Sequence, residues 1–91
     1  MHEYLINTIS KDTTELVSTI DRLHNQVRTL ISKCNALHTK ANATGREMLS
    51  AVSEQLVDIS ESLANAKTSA RVAESCAQDY ADKNKYQEKY L

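Results

Sequence analysis

The chain has no proline, no tryptophan, no phenylalanine, and a single glycine in 91 residues. β-Sandwiches and α/β domains turn every ten residues or so, and Gly and Pro normally make those turns. Their scarcity argues against such folds and leaves long helices. Charge of one sign is also missing, since eleven basic against twelve acidic side chains leave a net charge of −1. Nucleic-acid binders are usually strongly basic on at least one face, so no nucleic-acid partner is expected. No apolar run approaches the roughly 18 residues that cross a bilayer, and the N-terminus lacks a basic-then-apolar leader pattern. The expectation is no membrane insertion, and a chain that is cytoplasmic or secreted without a cleaved signal peptide. Bulky core residues are few too, because ten alanines stand within the apolar 41%. A domain this short is marginal alone, which implies a partner.

What is present is periodicity. In the first half, heptad position a holds Ile6, Thr13, Ile20, Val27, Cys34 and Ala41, and position d holds Ile9, Leu16, Leu23, Leu30 and Leu37. Spacing of three and four over about five heptads defines an amphipathic helix with a coiled-coil seam. In the second half Leu49, Val52, Leu56, Ile59, Leu63, Ala66, Ala70, Ala73, Ala77 and Tyr80 repeat the pattern. This predicts helix 1 over about 3–42, a turn at 42–45, helix 2 over about 45–82 and a flexible tail over 83–91, all in one domain. Thr44 and Glu47 have the spacing of a capping box, in which the hydroxyl takes the Glu47 amide and the carboxylate returns to the Thr44 amide. Asn42 suits a left-handed helix end, and Gly45 sits in the turn.

One continuous helix with a four-residue stutter is the alternative. Charge separates the two. Residues 22–46 carry Arg22, Arg28, Lys33, Lys40 and Arg46 without an acid, and residues 47–66 carry Glu47, Glu54, Asp58 and Glu61 without a base. A straight helix sets each block end to end, whereas a hairpin lays them side by side. Position numbers across that hairpin would add to about 89. The predicted fold is all-α, an antiparallel two-helix hairpin of coiled-coil type. Two helices cannot enclose a seam, and Val17, Ile31, Met48, Val57 and Val72 lie beside it. They form a face for a helical partner or a second copy, giving a four-helix bundle.

Chemistry is sparse. Cys34 and Cys76 fall far apart along such a hairpin and read as structural residues rather than a disulfide. His24 and His38 are fourteen residues apart, too far to share a metal. No metal-binding, nucleophile-elbow or phosphate-loop motif occurs. The prediction is no enzyme, no catalytic residue, no metal and no cofactor. Tyr4, Tyr80, Tyr86 and Tyr90 gather at the open end, opposite the turn, and Tyr is favoured at recognition surfaces.

Two long helices, one glycine between them and a tyrosine motif past the second resemble the WXG-type small proteins of type VII secretion systems. The likeness is closer still to their relatives that escort LXG-type toxins in Gram-positive bacteria. The Trp-x-Gly turn is represented by Ala43-Thr44-Gly45, without the aromatic. The C-terminal aromatic-xxx-acid signal is represented by Tyr80-Ala81-Asp82-Lys83-Asn84, with Asn in the acid's place. The resemblance implies that Gly45 is the turn residue and that Tyr80 with Asn84 belongs to an export signal. It also implies a helical-hairpin adaptor that binds a toxin's helical N-terminal domain, or another small hairpin protein, and aids export. The competing class is a structural coiled-coil subunit of a scaffold or vesicle-fusion assembly. β-Branched residues at a with Leu at d suit that class.

Overall fold

The computed structural model describes the backbone of residues 2–90 and the side chains of residue 5 and residues 7–83. The chain is all-α: helix α1 (His2–His38) turns back into helix α2 (Ala43–Tyr90), an antiparallel hairpin. It divides into two compact units. The terminal unit joins Met1–Ile20 to Ala66–Leu91, and the turn unit is Asp21–Asn65.

Both helix boundaries differ from the heptad expectation. α1 stops at His38 rather than near 42, where the Lys40 amide donates to the Leu37 carbonyl at 3.0 Å and tightens the last turn. α2 begins at Ala43 and runs to Tyr90, through the stretch read as a tail from residue 83. No Gly or Pro stands between residues 46 and 91 to stop it, and neither residue's helix penalty therefore applies.

The cap is also different. Asn42, not Thr44, precedes α2, and its side-chain oxygen accepts the Gly45 amide at 2.8 Å. The Asn42 carbonyl takes the first helical bond, from the Arg46 amide at 2.8 Å. This is the geometry of an N-cap satisfying a free donor of the first turn. Thr44 and Glu47 lie inside α2 and are exposed. Asn42 does not adopt the left-handed conformation, and neither does Gly45. Space at 45 is tight: a Cβ there would stand 3.0 Å from the Ala41 Cβ and 3.2 Å from the Asn42 side-chain oxygen, so these neighbours would have to give by a few tenths of an ångström.

The seam is narrower than the heptads suggest and turned to one side. In the turn unit the half-buried residues of α1 include His24, Val27, Ile31, Cys34 and His38, which occupy positions a and e. Their counterparts on α2 include Leu49, Ser53, Leu56, Ser60 and Leu63. His24 Nε2 and Ser60 Oγ share a hydrogen bond of 3.1 Å, which sets e against the equivalent row of α2. In the terminal unit Ser10, Thr13, Val17 and Ile20 repeat the pattern on α1, and Ala70, Glu74, Ala77 and Ala81 on α2. Thr13 is tolerated there because its hydroxyl bonds back to the Ile9 and Ser10 carbonyls at 2.9 Å. Ser10 Oγ donates to Gln78 Oε1 at 3.0 Å across the pair. The bonded positions 24 and 60 add to 84, and 10 and 78 to 88, a slightly shorter register than 89.

Among the described side chains the buried ones are Leu49, Ala70 and Ala81, at 8%, 6% and 5% exposure. Ala66 and Ala73, expected to line the seam with Ala70, are exposed. Replacing Ala70 with Leu should therefore cost about 1–3 kcal/mol by overpacking, while Ala73→Leu should be close to neutral. Asn42→Ala should cost about 1 kcal/mol, and Thr44→Ala much less. Thermal unfolding followed by helical circular dichroism checks both pairs.

Candidate docking surface

On an α-helix, position d lies 60° from a and 100° from e. A seam built on a and e therefore pushes d sideways. The result is a row of large apolar side chains left in solvent. In the turn unit these are Leu23, Leu30 and Leu37 on α1 and Val52 and Ile59 on α2, all 41% exposed or more. In the terminal unit they are Ile9 and Leu16 on α1 and Tyr80 on α2.

The rows of the two helices share a side. In the terminal unit a single apolar groove is lined by Ile9 and Thr13 from α1 and by Ala73, Cys76, Ala77 and Tyr80 from α2. In the turn unit the groove between the helices on the side away from d is more polar than this one, with Asn35 and His38 of α1 and Ser50, Ser53 and Glu54 of α2 beside Cys34, Leu49 and Val57. The leucines at d do not reach that polar groove. The outward stripe of α2 also lacks charge. Met48, Val52, Gln55, Ile59 and Ser62 follow at three and four in the turn unit, and Ala66, Ser69, Ala73, Cys76 and Tyr80 in the terminal unit; all are exposed. Depletion of charge is the compositional mark of an interface core.

The residues expected to form the partner face do not share one. Val17, in the terminal unit, and Ile31, in the turn unit, are half-buried in the seam at position e. Met48 is on the uncharged stripe of α2. Val57 stands nine residues further on, half a turn around the helix, and lines the polar groove. Tyr80 is 62% exposed rather than capping the seam. Asn84, Tyr4, Tyr86, Tyr90 and Ile6 lie outside the described side chains. Heptad counting groups a with d by apolarity and so hides the outward row. The signal that exposes it is the absence of charge at d and at the position three residues beyond it on α2 from Val52 to Cys76.

Cys34 is half-buried, Cys76 is exposed, and both are free thiols. Among the described residues no group of three or more His, Cys, Asp or Glu is arranged to hold a metal. Among the described residues no helix is long and apolar enough to cross a membrane. No protein-family model, curated protein or solved structure matches the chain. The surface itself must therefore carry the functional reading. Cys76→Ala should leave stability unchanged, whereas Cys34→Ala should lower it modestly by opening space in the seam. Denaturant unfolding under reducing conditions measures both.

Proposed function

We propose that the chain is a non-enzymatic adaptor whose uncovered apolar face completes a helical bundle with a protein partner. The observation that supports this is the row of leucines at d, left in water by a hairpin with few buried side chains. An isolated globular chain rarely leaves so many large apolar residues uncovered in one pattern. A bundle helix needs apolar residues on two flanks, a and d together with e or g, because it has two neighbours. This chain has that stripe on each helix and uses only part of it within the hairpin.

The partner class comes from the resemblance to escorts of LXG-type toxins. On this reading the occupant is a toxin's helical N-terminal domain or another small hairpin protein, met in the cytoplasm before export. Tyr80, on the exposed row, and Asn84 would belong to the surface that a secretion machine reads. Gly45 would keep the turn tight enough for the two helices to present their rows together. The scaffold reading keeps the same face and replaces the toxin with a coiled-coil assembly.

The test is co-expression with the N-terminal domain of an LXG-type toxin, followed by affinity capture. The wild-type chain should retain the domain. A Leu23→Asp, Leu30→Asp variant should lose it, since a desolvated charge costs several kcal/mol. Val57→Asp, in the polar groove, should retain it. Capture that survives the double change, or fails with the wild-type chain, removes the adaptor reading. Tyr80→Ala should reduce export of the toxin more than its capture.

A further inference from the structure

We infer that the outward face of the turn unit takes a partner helix that is acidic along one flank only, the flank that lies over α1. This rests on the adaptor reading for its helical partner and adds that partner's chemistry. It concerns the turn unit alone.

The first observation is where two bases of α1 stand. Going around α1 away from the seam, position a is followed by d, then g, then c, at steps of about 40–60°. Leu23, Leu30 and Leu37 fill d and are exposed. Beyond them stand Lys33 at g and Arg22 at c, both exposed. The two bases share one shallow depression with Leu30, completed by Asn25, Gln26 and Thr29. They are eleven residues apart, three turns, so they point the same way to within about 20°. Ion pairs at three or four residues are how a helix neutralises its own surface charge. Neither base has an acid at that spacing: the positions hold Ser18, Thr19, Asn25 and Gln26 around Arg22, and Thr29, Leu30, Ala36 and Leu37 around Lys33. The rim of the leucine row is basic, and its own helix does not offset it.

The second observation is the opposite rim. On α2 the row of Val52 and Ile59 is bordered by Met48, Gln55 and Ser62, none of them charged. Glu54 lines the groove on the side away from d. The face therefore runs from bases on α1, over an apolar floor, to a neutral edge on α2. A second copy of this unit does not complement it, because no acid lies on the outward stripe. An anionic bilayer fits poorly too. Residues 21–65 carry five Lys and Arg against five Asp and Glu, whereas lipid surfaces are held by clusters of about four to eight bases. A helix does fit. Leu23, Leu30 and Leu37 recur every seven residues, the repeat that a neighbouring helix matches with its own knobs. Its apolar stripe lies on the leucines, and acids about eleven residues apart on one flank reach Arg22 and Lys33. Such rim charges select a partner and its orientation more than they hold it.

The test uses three synthetic helical peptides that share one leucine heptad stripe. The first has two glutamates eleven residues apart on one flank. The second has the same composition with the glutamates moved to the face opposite the stripe, and the third has lysines at the flank positions. Fluorescence anisotropy with the full chain at low salt should rank the first peptide about fivefold above the second and about tenfold above the third, as two exposed charge pairs imply. The ranking should flatten at about 0.5 M salt. An Arg22→Glu, Lys33→Glu variant should reverse the order of the first and third peptides. Arg28→Glu, nearly opposite the leucine row, should leave it. Helical circular dichroism follows both variants. Should the double variant unfold the chain, the wild-type ranking decides alone. Four outcomes overturn the inference: no peptide bound, the first two peptides bound equally, tighter binding to phosphatidylserine vesicles than to the first peptide, or a wild-type dimer that Leu30→Asp breaks. Capture of the toxin domain without discrimination among the peptides removes this inference and keeps the adaptor reading. The expected ranking without toxin capture removes the toxin and keeps the acid-flanked partner.

Discussion

Two helices cannot enclose a core. Every other feature of this chain follows from that constraint. A helix pair has one line of closest approach, and only residues on that line lose most of their water. Here they are small or few: Leu49, Ala70 and Ala81. Burying a large apolar side chain is worth roughly 1.5–3 kcal/mol. A seam that mixes serine, alanine, histidine and Glu74 with half-covered valine, isoleucine and leucine gathers far less than a full bundle core would. The remaining apolar surface is available to whatever binds next.

The seam uses Leu49, Leu56 and Leu63 of α2 but not the leucines at d of α1. Placing a and e inside, with Ser53 and Ser60 on the facing helix, lets the helices approach over small side chains and lets His24 bond Ser60. Bulk at d is then displaced to one side on both helices, because an antiparallel pair turns equivalent rows toward the same face. The hairpin buries Leu49 and half-buries Leu56 and Leu63 of α2 against the a and e positions of α1, and leaves the leucines at d on an external surface. Polarity follows the same division: the acids Glu47, Glu54 and Glu61 are exposed, and none falls on the outward apolar stripe.

Much of this is legible in the residues. The heptads, the break near residues 42–45 and the lack of breakers elsewhere specify two helices and their reversal. The choice between d and e is not legible from apolarity, since leucine and isoleucine at d outrank serine and histidine at e on any hydrophobicity scale. It depends on how closely two backbones approach, and on a histidine–serine bond that pairs residues distant in sequence. The cap was ambiguous for a local reason. Asn42 and Thr44 are both good N-cap residues, and the Thr44–Glu47 spacing favours the wrong one. Gly45 has no left-handed backbone to explain it, and the nearest constraint on a side chain there is the Ala41 Cβ, 3.0 Å from where a Cβ would stand.

The short connection over residues 39–42 has a wider consequence. A seam with a seven-residue repeat is nearly degenerate under sliding: moved by one heptad, His24 would meet Ser53 in place of Ser60, another serine at an equivalent position. Nothing in the repeat itself forbids that slip. The linker does, by holding the end of α1 against the start of α2, so alignment is an end condition rather than a property of the interface. Each doubling of a flexible linker costs only about 0.6 kcal/mol in closure entropy. A lengthened connection would thus remove little stability while freeing the helices to choose among several alignments.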